Sequence, residues 1–248
     1  MSVETEPQPL AAELVGTLVL VFFAVGSAVL AGEFIGSLGI AVAFAFTLIG
    51  LAFILGPLSG AHLNPAVTFG MLLAGRMDLI TAVMYWIAQF IGAFAGAALL
   101  FLVAKQVPGL STHEAFGSNG FSDRSAVGLS LGGAFVAEAI LTFLLVFVYL
   151  SVTRSYLLRG HDAIPVGLTL GVVNLIGIPL TGAGVNPARS LAPAVFAVGA
   201  ALTQVWLFIV APLVGAAVAV VVHRLVHAQD ENWLSDWDWQ RVGRGRAR

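Results

Sequence analysis

Long apolar runs separated by short polar breaks occupy residues 10–32, 35–55, 79–104, 126–153, 163–178 and 201–222. Most reach the ~20 residues that a helix needs to cross a ~30 Å hydrocarbon layer. The fifth run is short and needs Asp162, or Pro179 and Leu180, near its ends. Two more apolar stretches, 64–75 and 186–199, are too short to cross alone. Each is expected to be a re-entrant half-helix or a surface segment, since irregular backbone at membrane depth survives only where protein or a watery cavity satisfies it. The pattern predicts an all-α membrane protein of six transmembrane helices plus two re-entrant half-helices, forming one domain over residues 1–227. The polar connector 105–125 reads as a loop rather than a second domain. Residues 228–248 read as a cytoplasmic tail, either flexible or lying at the interface through Trp233, Trp237 and Trp239.

The two halves resemble each other. Pro57-Leu58-Ser59-Gly60-Ala61-His62-Leu63-Asn64-Pro65-Ala66 and Pro179-Leu180-Thr181-Gly182-Ala183-Gly184-Val185-Asn186-Pro187-Ala188 share seven of ten positions. Likewise, the run from Ala12-Glu13 to Phe22 recurs from Ala137-Glu138 to Phe147. The Glu offset is 125 residues and the Asn offset 122, so the units run from about 10 to 104 and from about 126 to 227. Each holds three spans, an odd number, so the second enters from the opposite face. Such inverted repeats place their sites near the bilayer midplane, at half-helix N-termini.

Composition narrows the class. Hydrophobic residues make up 59% and charged residues 10%, with mean hydropathy +0.98, far from the ~25% charged residues of a soluble domain. A net charge of −2 gives no reason to expect nucleic acid. Without cysteine there is no disulfide, thiolate metal site or cysteine nucleophile. The first residues carry Glu4 and Glu6 but no basic n-region, so the first run is expected to remain as a span. With the N-terminus cytoplasmic, Arg76, Arg154, Arg159 and Arg224 lie inside, against Lys105 and Arg124 outside, and the tail arginines add to the inside count. Both termini are therefore expected in the cytoplasm, at a plasma or inner membrane. No cofactor or metal site is expected, and no nucleophile–base pair suggests an enzyme.

Asn-Pro opens helices efficiently. The Asn side-chain oxygen accepts an orphan N–H, and proline lacks the N–H that would be wasted at the first position. Each amide NH₂ then remains to donate. Half-helices entering from opposite faces would bring Asn64-Pro65-Ala66 and Asn186-Pro187-Ala188 together near the middle. Each N-terminus carries roughly half a positive charge, which disfavours cations and favours a neutral molecule with an acceptor oxygen. Arg189, ~4.5 Å of helix rise beyond Asn186, is costly in a membrane and should face an aqueous path or accepting carbonyls. Glu13 and Glu138 are either carriers of a proton-coupled transporter or acceptors for irregular backbone before each half-helix; their symmetric positions favour scaffolding. His62 either lines an inner vestibule or satisfies buried carbonyls. His113, His161, His223 and His227 are expected in loops or the tail, and Gly92, Gly96, Gly132 and Gly133 in helix-packing faces.

These motifs together resemble the aquaporin (major intrinsic protein) family up to about His227. The resemblance implies an hourglass fold, a homotetramer with one pore per subunit, and passive flow of water or small uncharged solutes. It implies a selectivity filter at Phe44, Asn174, Ala183 and Arg189. Phe44 and Arg189 agree with water channels; Asn174 stands where those usually have His, and Ala183 where they often have Cys or Thr. Ser190 and Ala194 also agree with water channels, whereas Ile209 departs, standing where they tend to have Trp. The shorter residues at 174 and 183 suggest a filter wider than that of a strict water pore. The leading expectation is a water channel excluding protons and ions. The alternatives are a wider pore for glycerol, urea, ammonia or hydrogen peroxide, and a proton-coupled secondary transporter.

Overall fold

The computed structural model describes residues 7–113, 115–153 and 162–227. The tail 228–248, with Arg154, Arg159 and His161, lies outside the described residues. Helix α1 (Pro7–Val19) continues through one π-helical turn, Leu20–Val25, into α2 (Gly26–Ser59). This continuous stretch is 53 residues long. Held straight it would measure about 80 Å, more than twice a ~30 Å hydrocarbon layer. It does not stay straight. At Gly36 the backbone takes φ 60° and ψ −176°, a conformation that side-chain-bearing residues avoid and glycine accepts. The first two spans are the two legs on either side of this break.

Half-helix α3 (Pro65–Leu73) follows, then α4 (Leu79–Ala104), α5 (Leu131–Val152), α6 (Ala163–Thr181), the second half-helix α7 (Pro187–Ala197), the short α8 (Gly199–Gln204) and α9 (Leu207–Val226). At nine and eleven residues, α3 and α7 are about 14 and 16 Å long, each half a membrane. Six crossings and two half-crossings result.

Capping chemistry decides where these helices begin. Helix α4 starts where hydropathy places it because Asp78 accepts from the Thr81 amide (2.9 Å) and hydroxyl (2.6 Å). Those bonds hold the Asp78 carboxyl below its ordinary range. Helix α5 starts at Leu131 rather than at residue 126. Gly128 sits at φ 68°, and the Ser130 hydroxyl accepts from the Gly133 amide at 3.3 Å, so the cap outranks the apolar character of 126–129. Helix α6 gains a turn beyond residue 178 and ends at Gly182, in the left-handed region. Helix α9 runs past residue 222, so His223 is buried in its last turn and His227 caps it. Neither lies in a loop or tail, whereas His113 does lie in the connector.

The repeats pack alike. A Cβ on Gly92 of α4 would fall 2.1 Å from the Leu14 carbonyl oxygen of α1. One on Gly215 of α9 would fall 2.2 Å from the Ala139 carbonyl of α5. Backbone therefore touches backbone at equivalent crossings, with no room for a methyl group. Gly96 makes the same approach to Leu18, but Gly132 faces open space and takes no part in packing. Gly92→Val should therefore destabilise by about 1–3 kcal/mol, read as a lower thermal midpoint in detergent. Gly132→Ala should leave the midpoint unchanged or higher. Equal midpoints for wild type and Gly92→Val would contradict this close crossing.

Candidate functional site

Each half-helix is preceded by a turn in an unusual backbone conformation. Gly60, Ala61 and Leu63 have φ of 86°, 50° and 50°; Gly182, Ala183 and Val185 have 82°, 53° and 44°. The left-handed region costs a residue with a side chain roughly 1–3 kcal/mol, so something must hold these turns. The buried glutamates do. Glu13 accepts from the amides of His62 (2.9 Å) and Leu63 (2.7 Å), the Ser59 hydroxyl (2.7 Å) and the Gln89 side chain (2.7 Å). Glu138 accepts from the amides of Gly184 and Val185 (both 2.8 Å) and the Thr181 hydroxyl (2.5 Å). Both carboxylates are fully buried, and both of their oxygens are engaged.

Past these turns the two helix ends grip each other. Asn64 caps α3 by accepting from the Ala66 amide at 2.8 Å and donates to the Val185 carbonyl at 2.9 Å. Asn186 caps α7 by accepting from the amides of Ala188 (3.1 Å) and Arg189 (3.2 Å), and donates to the Leu63 carbonyl at 2.8 Å. One amide hydrogen of each pair is thus spent across the interface. The sequence reading left the whole NH₂ free; one N–H of each Asn remains. Pro65, Ala66, Pro187 and Ala188 form the buried first turns behind these caps.

Asn64, Asn186, His62, Phe44 and Arg189 all line one cavity of about 20 Å³, walled otherwise by Tyr149 and aliphatic side chains such as Leu48, Leu145 and Leu170. That is room for little more than one water. A wider cavity of about 490 Å³ opens beyond it, and Phe44 and Arg189 line that one as well. The two therefore stand where the narrow passage meets the wide one. The Arg189 guanidinium carbon lies 5.5 Å from the Phe44 ring centroid, a cation–π distance. Its Nη1 donates to the Gly117 carbonyl at 2.8 Å, and Nη2 reaches Gly182 at 3.4 Å. Arg189 thus meets accepting carbonyls and an open path together.

Asn174 and Ala183 behave differently. Both are fully buried and line neither cavity. The Asn174 amide turns back to donate to the Leu170 carbonyl of its own helix at 2.9 Å. His62 lines the inner cavity, with its Nδ1 3.1 Å from the Thr68 hydroxyl. Its ring meets those of Tyr85 and Tyr149 edge-on, at 5.3 and 5.6 Å. The Tyr85 hydroxyl donates to the Ser59 carbonyl at 3.0 Å, and that of Tyr149 donates to Gly60.

Several site residues escaped the sequence reading. Ser59 and Thr181 were visible as a conservative pair inside the twin motif. Gln89, Tyr85, Tyr149 and Gly117 carry no local signal of their role. Trp86 donates its indole N–H to the Pro65 carbonyl at 3.2 Å. By the 123-residue spacing that relates Gly92 to Gly215, its counterpart is Ile209, whose side chain has no donor.

Relatives agree with this architecture. The family model described as Major intrinsic protein matches residues 2–223. The chain is 41% identical over 225 residues to Aquaporin Z of Brucella melitensis biotype 1, covering 89% of this chain and 98% of that protein. It is 41% identical to Aquaporin Z of Photorhabdus laumondii subsp. laumondii, at 90% and 98% coverage. The solved aquaglyceroporin from Plasmodium falciparum shares the fold with a TM-score of 0.74 at 23% identity, over 90% of this chain and 97% of that one. This multi-pass membrane protein belongs to the major intrinsic protein family.

Proposed function

We infer that this chain is a passive channel conducting water along osmotic gradients while excluding protons and ions. The observation that carries the reading is the pair of helix N-termini, crosswise bonded through Asn64 and Asn186, beside a passage with room for about one water. Two positive helix ends and the Arg189 cation oppose any cation there. The remaining amide N–H of each Asn suits an acceptor oxygen such as that of water. The Aquaporin Z relatives support the same reading.

In this reading Asn64 and Asn186 form the midplane station, Phe44 and Arg189 the filter, and His62 the inner mouth. Residues up to 227 act as one channel domain. The proposed setting is a homotetramer in a cell membrane with cytoplasmic termini. The tetramer rests on family membership. The orientation is supported by Arg76 and Arg224, which lie at the same end: Arg224 donates to Leu73 at the end of α3, and Arg76 to Leu150 near the end of α5. The wider-pore alternative rests on the short side chains at 174 and 183, but the space they release does not join either cavity. Proton coupling would need an acid with a free oxygen in the path, and Glu13 and Glu138 each have both oxygens bonded.

Two experiments test this in proteoliposomes. Arg189→Val should keep water flux and raise proton leak by about tenfold or more, since a unit charge on the wall of so narrow a passage is worth a few kcal/mol at an effective dielectric of about 20. An unchanged leak would contradict Arg189 as the electrostatic barrier. Glu138→Gln should lower the thermal midpoint, because its NH₂ must face a backbone N–H and leave a buried donor unpaired, at about 1–3 kcal/mol. Water flux through the surviving protein should stay independent of an imposed proton gradient. Gradient-driven, saturable solute uptake lost in this variant would instead establish a transporter.

A further inference from the structure

The connector between the repeats reaches the proposed filter as a strap. We propose that Gln204, outside both cavities, is a positioning residue for selectivity: its side-chain amide fastens this strap so that the Gly117 carbonyl holds Arg189 in place.

The grip is two-pointed. The Phe121 amide donates to Gln204 Oε1 at 2.9 Å, and Gln204 Nε2 donates to the Phe121 carbonyl at 3.3 Å. A side-chain amide thus pairs with a loop residue as a neighbouring strand would, satisfying both of its backbone groups. Gln204 ends α8, which follows α7, the half-helix that carries Arg189, across a sharp break at Val198 (φ 54°). The strap is therefore tied to two successive helices, at Gly117 by Arg189 of α7 and at Phe121 by Gln204 of α8.

Between these ties lies a third. The Thr181 carbonyl accepts from the Gly120 amide at 3.0 Å and from the Asn119 side chain at 3.3 Å. The Thr181 hydroxyl donates to Glu138, the acid that holds the turn before Asn186. The strap cannot compensate for a lost tie by moving inward. Gly117 has φ 63°, and even a Cβ there would lie 2.4 Å from Val25 Cγ1. Phe116, buried against Phe101 and Phe196, fixes the other flank. Without the Gln204 grip the strap keeps only the Thr181 carbonyl tie and the Phe116 flank, and the slack this gives can move Gly117 only outward, away from Arg189. The guanidinium then loses its 2.8 Å acceptor, the shorter of its two carbonyl contacts.

This inference rests on Arg189 being the selectivity element, so the test includes that residue. Wild type, Arg189→Val, Gln204→Leu and Gln204→Glu are compared for water and glycerol permeability in proteoliposomes, and for amide exchange at residues 117–121. The glycerol-to-water ratio is the readout, because loss of folded protein lowers both fluxes equally. Gln204→Leu should raise the ratio about 2- to 10-fold, as loss of one or two neutral hydrogen bonds allows, and should speed exchange in the strap. Gln204→Glu keeps the acceptor for the Phe121 amide but sets an oxygen against the Phe121 carbonyl; it should raise the ratio as well, and carries the test if Gln204→Leu fails to assemble. A raised ratio in Arg189→Val with wild-type ratios in the Gln204 variants overturns the clamp alone. An unchanged ratio in Arg189→Val overturns the filter reading and the clamp with it.

Discussion

A helix that stops inside a membrane leaves its first N–H groups without partners, in a medium that has no water to offer them. Everything at the centre of this protein answers that constraint. Asn64 and Asn186 each accept from their own helix and donate to the opposite turn. Only a residue with both an acceptor and a donor on one short side chain can do this. Serine could cap but not reach across, and aspartate could not donate. Proline at the next position removes one orphan N–H outright. The turns leading in are then satisfied from behind by Glu13 and Glu138, and the left-handed backbone at Leu63 and Val185 is tolerated because those bonds fix it.

The same arrangement sets the electrostatics. Negative carboxylates lie behind the turns, fully engaged, while positive helix ends meet in front. Symmetry makes this framework, and departures from it give the two halves different work. The repeat counterpart of Arg189 is Val67, which lines the narrow cavity as an aliphatic wall. The counterpart of His62 is Gly184, where a Cβ would meet Phe208 at 2.7 Å and Glu138 at 2.8 Å. In the wall of the narrow cavity, the imidazole of His62 comes from the turn before one half-helix and the guanidinium of Arg189 from the first turn of the other. Trp86 braces the first half-helix through the Pro65 carbonyl, and Ile209 gives the second no such brace.

Much of the fold was legible because membrane helices advertise themselves by length and their starts by capping chemistry. Residues 79–104 are helical end to end, and both Asn-Pro steps open half-helices. The misses are matters of backbone conformation. The π-helical turn at Leu20–Val25 lies in uniformly apolar sequence, where hydropathy carries no contrast, whereas the break at Gly36 falls just past the gap at 33–34 that parts the first two runs. The late start of α5 shows a Ser cap overriding apolar residues before it. At the site, the glutamates and Asn pair were legible because the repeat doubles every signal. Gly117 was not: its contribution is a carbonyl, which every residue has, and only the path of the strap brings it to Arg189.

Side-chain size at positions 174 and 183, where the family resemblance sets a filter, illustrates why width is hard to infer from sequence. Exchanging a ring for Asn174 and a longer side chain for Ala183 removes volume, and the arithmetic suggests a larger hole. Yet a buried asparagine also has donors to satisfy, and the nearest acceptor is the Leu170 carbonyl one turn back. Once the amide folds onto its own helix it becomes wall rather than lumen. Ala183 is fully buried with its methyl group against Gly177 of α6. What then bounds the passage is the guanidinium over Phe44, and its position is set by the carbonyls of Gly117 and Gly182 rather than by the two shortened residues. If Arg189 is the filter proposed above, selectivity would depend on how firmly the backbone that supplies these two acceptors is held.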